Sequence, residues 1–68
     1  MEIKDFVPGI KVYAMLKVGD KPITKYVGTV GHAWMAGGKK TLVKFDAGIG
    51  WVYITEQNAS QFFLEPAN

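Results

Sequence analysis

The chain has 68 residues, of which 49% are aliphatic or aromatic, and this length and composition describe one small folded domain rather than a disordered segment. It contains no cysteine, which excludes disulfide bonds and thiolate metal sites. The net charge is +2 and all eight basic residues are lysine, so the bidentate arginine contacts that dominate sequence-specific DNA recognition are excluded.

The first residues of the chain and the hydropathy of the whole sequence indicate where in the cell the protein is located. No run of about 18 apolar residues is present, so no membrane-spanning helix is predicted. The first residues lack the basic and apolar regions of an export signal. With no export signal and no cysteine, we expect a cytoplasmic protein without membrane association, folded as a single domain over residues 1–68.

Short runs of β-type residues follow one another along the chain and predict five strands. Residues 1–8 form a lead-in that ends at a Pro-Gly turn signal. Segments rich in Gly, Pro, Asp or Asn separate the runs and mark the turns. The predicted strands are residues 10–18, 26–35, 41–46, 51–55 and 62–65.

Local patterns within these runs support an all-β fold. The first strand alternates apolar residues such as Val12 and Ala14 with lysines, which is typical of a half-buried strand. The second contains Gly28 and Gly31 in its interior, where glycine is tolerated if the backbone must bend or approach a neighbour closely. Residues 56–61 are too few for a stable helix and predict one 3-10 turn before the last strand.

Alternation also divides the large side chains between interior and surface. It predicts that Tyr13, Trp51 and Tyr53 point outward. The alternative gives Trp34 and Trp51 a structural role, as covers over the open ends of the folded sheet. The predicted core residues are Ile10, Val12, Val30, Val43, Phe45, Val52, Ile54 and Leu64.

The connections between the strands are a long loop, two hairpins and one helical turn, and this order resembles that of the SH3-like small barrels. Residues 28–30 (Gly-Thr-Val), the run 42–45, and Asn58 followed by Phe62 and Leu64 are similar to segments of the lysine-rich small barrel of photosystem I and its relatives among the accessory proteins of photosynthetic electron transfer. The resemblance implies a five-stranded SH3-like barrel that belongs to a protein assembly.

A second resemblance is to the type II dihydrofolate reductases, which are also SH3-like barrels. It is carried by residues 9–12, by the strand 28–34 and by residues 52–54, which correspond to that family's first strand, second strand and pore-lining segment. Where the family has Val-Gln-Ile-Tyr, this chain has Trp-Val-Tyr-Ile at residues 51–54. This resemblance implies a homotetrameric enzyme whose site forms at the centre of the tetramer.

Few residues of the chain suggest catalysis. His32 is the only histidine, and no neighbour in sequence supplies the group that would orient it as a general base. Ser60 is the only serine and lies outside any Gly-x-Ser-x-Gly motif. The six carboxylates are scattered, without histidine at metal-ligand spacing. We therefore predict no catalytic residues, no metal and no cofactor, and favour a non-enzymatic protein.

Outward aromatic residues bordered by lysines are instead typical of a binding surface. We expect an interaction module that binds a protein partner or assembly. Two alternatives stay open: a barrel that binds single-stranded nucleic acid through stacked bases and lysines, and the homo-oligomeric reductase. The candidate binding residues are Tyr13, Trp34, Met35, Lys39, Lys40, Trp51 and Tyr53.

Overall fold

The computed structural model describes residues 1–66, apart from the side chain of Met35. The predicted all-β class is confirmed, because the chain forms five antiparallel strands in one sheet with a 3-10 turn before the last strand. None of the helices within residues 1–66 has the length and apolar character needed to cross a membrane. The strands are β1 (Lys11–Leu16), β2 (Thr24–Met35), β3 (Gly38–Phe45), β4 (Trp51–Tyr53) and β5 (Phe62–Leu64).

The sheet has the strand order β4-β3-β2-β1-β5, so β5 returns to pair with the first strand after β1 to β4 have paired in sequence. A first 3-10 helix (Ile3–Asp5) lies in the lead-in and a second (Ala59–Gln61) delivers the chain into β5. The ring of Phe45 in β3 stacks 6.2 Å from that of Phe62 in β5. The sheet therefore curves around one small core, with β4 and β5 at its two edges.

The core differs from the predicted one at several positions. Leu64, a predicted core residue, is 60% exposed, because it lies on the edge strand β5 beyond the residues that cover the core. Phe6, from the lead-in, is buried instead, with its ring edge-on to Phe62 at 5.9 Å. The buried apolar side chains of the core are those of Phe6, Val12, Ala14, Val30, Val43, Phe45, Ala59 and Phe62.

The hairpin of β2 and β3 extends past both of its neighbours. Backbone hydrogen bonds from the β1 side reach only as far as Val30, and those from the β4 side reach only Thr41. Beyond them the two strands pair with each other alone, up to Met35 opposite Gly38. The third strand therefore begins earlier than predicted, since Gly38 already belongs to β3. We call residues 32–40 the hairpin arm.

Gly28 marks a close approach between β2 and β3. A Cβ atom at this position would lie 2.5 Å from Val43 Cγ1 and 2.8 Å from the carbonyl oxygen of Lys44. At Gly31 the nearest atom, Cδ1 of Leu42, would be 3.7 Å away, which is an ordinary contact. The close approach expected for the two glycines of β2 therefore exists at Gly28 and not at Gly31.

Gly28→Ala is expected to lower the free energy of unfolding by about 1–3 kcal/mol, because the backbone of β3 must move to admit the methyl group. Gly31→Ala is the matched control and should change it by less than about 0.5 kcal/mol. Thermal unfolding followed by circular dichroism measures both. Equal effects of the two substitutions would contradict the close packing at Gly28.

Candidate binding surfaces

One side of the sheet faces away from the core, and we call it the outer face. Successive residues of one strand point to opposite sides of the sheet, whereas paired residues on neighbouring strands point to the same side. The residues paired with Tyr13 and with Trp51 therefore share the outer face with them. It spans all five strands. The outer face includes Lys11, Tyr13, Met15, Lys25, Val27, Lys44, Trp51, Tyr53 and Phe63.

An aromatic pair occupies the outer face of β4. Trp51 and Tyr53 are two residues apart, and their ring centroids lie 4.7 Å from each other at an interplanar angle of 71°. This edge-to-face arrangement is the favoured geometry for aromatic rings. Trp51 is 56% exposed, and Lys44 lies opposite it on β3. A large part of the indole is therefore accessible to a ligand although it is held by Tyr53.

The side chain of Asn58 fixes the chain at the end of β4. Its Nδ2 donates a hydrogen bond of 2.8 Å to the carbonyl oxygen of Tyr53, and its Oδ1 accepts one of 2.9 Å from the backbone N–H of Thr55. Asn58 is half-buried. One amide group thus connects the strand that carries the aromatic pair to the turn before the second 3-10 helix.

A second aromatic group lies across β1 and β5. The rings of Tyr13 and Phe63, which face each other in the register, have centroids 5.4 Å apart. The Nζ atom of Lys25 lies 4.6 Å from the centre of the Tyr13 ring, within the range of a cation–π interaction. Phe63 is 49% exposed. This group therefore presents a ring surface together with a cation.

The lysines of the outer face are partly neutralised. Nζ of Lys25 lies 2.9 Å and 3.0 Å from the two carboxylate oxygens of Glu65, and Nζ of Lys11 lies 3.1 Å from Asp46. These pairs are partly exposed and each contributes at most about 1 kcal/mol to stability. Their main effect is to give the outer face charges of both signs.

The hairpin arm carries the remaining candidate residues. Trp34 lies opposite Lys39 in the register and is 83% exposed. It shares its side of β2 with Val30 and His32, four and two residues earlier, so it emerges on the core side of the sheet, whereas Trp51 is on the outer face. Lys40 is exposed on the arm and points to the side opposite to Trp34 and Lys39. The side chain of Met35 lies outside the described part of the structure.

The structure thus divides the predicted binding residues between two surfaces. Tyr13, Trp51 and Tyr53 lie on the outer face, while Trp34, Lys39 and Lys40 lie on the arm. Neither tryptophan covers the core, given their exposed fractions of 56% and 83%. The sequence reasoning omitted Phe63 from the binding residues. If Phe62 is assigned to the core, alternation predicts that the next residue, Phe63, points outward. Its contact with Tyr13 could be recognised only from the strand register in the structure.

The groups considered for catalysis do not converge. His32 is half-buried on β2, and Ser60 is exposed at the edge of a shallow depression of about 330 Å³ that also contacts Glu2 and Glu56. Within residues 1–66, no three side chains of the types that bind metals lie close enough together to hold an ion. Comparisons of the chain with protein-family models, curated proteins and solved structures found no match.

Asn58→Asp is expected to lower the free energy of unfolding by about 1–3 kcal/mol, because the new carboxylate cannot donate to the carbonyl of Tyr53 and repels it. Gln57→Glu adds the same charge at the exposed neighbouring position and is the matched control. Chemical denaturation at neutral pH compares the two variants. If both are equally destabilised, the added charge and not the lost hydrogen bond is responsible.

Proposed function

We propose that the protein is a non-enzymatic interaction module that binds a protein partner through the outer face. The observation that carries the proposal is the exposed Trp51–Tyr53 pair, whose rings pack only 4.7 Å apart on a regular strand. Tryptophan and tyrosine are the residues in which the binding energy of protein interfaces concentrates. Because a strand and a neighbouring ring hold it, the indole loses little freedom on binding.

The charges of the outer face favour a protein partner over a nucleic acid. Lys11 and Lys25 are each paired with a carboxylate, so phosphate groups would meet negative charge beside both of these ammonium groups, whereas Lys44 makes no salt bridge within residues 1–66. Protein interfaces in contrast combine aromatic anchors with a polar rim of both signs. The outer face has this composition.

The dimensions of the surface also suit a protein partner. The Trp51–Tyr53 pair on β4 and the Tyr13–Phe63 pair on β1 and β5 are separated by three strand spacings between β4 and β1, about 14 Å along the sheet. A standard interface covers about 800 Å² on each partner. Because the sheet curves around its core, the two pairs do not lie on one flat patch, and the partner is expected to cover the Trp51–Tyr53 pair.

Two finer assignments belong to this proposal. An SH3-like barrel is supported by the position of β5 beside β1 and by the 3-10 turn that precedes β5. A cytoplasmic location is supported by the absence of cysteine from the sequence. Each supports the expectation of a small adaptor that acts as part of a larger assembly.

Trp51→Ala is expected to leave the domain folded and to weaken partner binding at least about 30-fold, the loss typical of an interface anchor. The wild type, Trp51→Ala and Trp34→Ala are immobilised as baits in an extract of the cells that make the protein. A protein retained by the wild type and by Trp34→Ala but lost from Trp51→Ala is then purified, and its Kd for each variant is measured.

Trp34→Ala serves as the control because it removes an exposed tryptophan from the other side of the sheet. A partner that binds all three baits equally would contradict the role of the outer face. Circular dichroism of Trp51→Ala separates the loss of an anchor from the loss of the fold, and unfolding of this variant would assign Trp51 to stability instead.

A further inference from the structure

The hairpin arm is built differently from the rest of the sheet. Residues 32–40 have a strand partner on one side only, and a two-stranded ribbon of this kind is only marginally stable in water by itself. Its turn consists of two residues, Ala36 and Gly37, followed by Gly38 with a φ of +107°. The arm therefore projects into solvent and consists largely of small residues, two lysines and one tryptophan.

Trp34 has no packing role that would account for its presence on the arm. At 83%, its exposed fraction is the highest among the large hydrophobic residues that the structure describes. Within residues 1–66, no aromatic ring packs against its indole, in contrast to Trp51, which contacts Tyr53. The neighbouring Ala33 and Ala36 are too small to shield the ring. Its flat face is accessible to a ligand.

The charge of the arm also differs from that of the outer face. No aspartate or glutamate occurs between Asp20 and Asp46, so the stretch that contains the arm is purely basic. In the described part of the chain, Lys39 and Lys40 lie outside salt-bridge distance of any carboxylate. Lys39, opposite Trp34 in the register, points to the same side as the indole, and Lys40 points to the other side of the two-stranded arm. A ligand that offers both anions and flat rings complements this arrangement if it crosses the arm.

We propose that the hairpin arm binds a single-stranded nucleic acid that crosses it, with a base stacked on Trp34, one phosphate group contacting Lys39 on the same side and another contacting Lys40 on the other side. Stacking tolerates any base, and lysine contacts phosphate as a point charge without reading sequence. The stacking residue Trp34 is on the side of the sheet opposite to Trp51, and the proposal does not depend on the protein partner proposed for the outer face.

An acidic protein is a poorer match to the same residues. Anchors in protein interfaces are surrounded by apolar contacts that exclude water from them. Among the described side chains, those on the same side of the arm as Trp34 and nearest to it in the register are His32 and Lys39, which are polar, so they form no apolar surround. A stacked base needs only the ring face and a nearby cation.

The test measures binding of fluorescein-labelled oligonucleotides of twelve nucleotides, oligo-dT and oligo-U, by fluorescence anisotropy at low salt. Trp34→Ala is expected to weaken binding about 5- to 150-fold, which corresponds to the loss of one stacked base. The affinity of the wild type should fall with salt with a slope near −1.4 in log K against log salt, from about 0.7 for each of two phosphates. The tighter-bound strand identifies DNA or RNA as the ligand.

A matched pair of double variants tests the lysines. The double variant Lys39→Gln, Lys40→Gln is expected to abolish most of the salt dependence of binding. The control Lys17→Gln, Lys21→Gln removes the same charge from exposed residues outside the arm, and it should leave the salt dependence nearly unchanged. An equal effect of the two pairs would show that net charge alone attracts the strand. That result would overturn the proposal.

Two further ligands separate stacking from charge. An abasic strand of equal length keeps the phosphates but has no rings, so it should bind with the reduced affinity of Trp34→Ala. Polyglutamate should compete only weakly with oligo-dT. Equal binding of the abasic strand, effective competition by polyglutamate, or absence of oligonucleotide binding at low salt would each overturn the proposal, whatever the outcome for the partner of the outer face.

Discussion

At one point in the sheet β2 approaches β3 so closely that no side chain fits between them. The position that a Cβ atom of residue 28 would take lies 2.5 Å from Val43 Cγ1, so this contact requires glycine. Phe45 faces Gly28 in the register and stacks on Phe62 across the core. A 68-residue chain has little apolar area with which to stabilise its fold, so loss of this packing would affect much of the core.

The same geometry determines what the protein presents to solvent. A strand that buries Val43 must expose Lys44, and a strand that turns Val52 inward must turn Trp51 outward. The core holds eight buried apolar side chains, and the outward aromatic rings pack against one another, Trp51 on Tyr53 and Tyr13 on Phe63. These ring pairs on the outer face hold rings in fixed positions as a binding surface requires.

Much of the fold could be predicted from the sequence because alternation and turn residues are local signals. They predicted the all-β class, the 3-10 turn before the last strand and the outward direction of Tyr13 and Trp51. They failed where distant segments meet. The burial of Phe6 and the exposure of Leu64 depend on how the lead-in and β5 lie over the sheet, and the separation of Trp34 from Trp51 depends on the register of the long hairpin.

The register also explains why one set of lysines is compensated and the other is not. Antiparallel pairing brings Lys25 on β2 within reach of Glu65 after β5, although the two residues are far apart in sequence. The arm extends beyond both neighbouring strands, and within residues 1–66 no carboxylate lies within salt-bridge distance of Lys39 or Lys40. Because Trp34 and Trp51 emerge on opposite sides of the sheet, ligands on the two surfaces need not compete, and substitutions at the two sites should act independently.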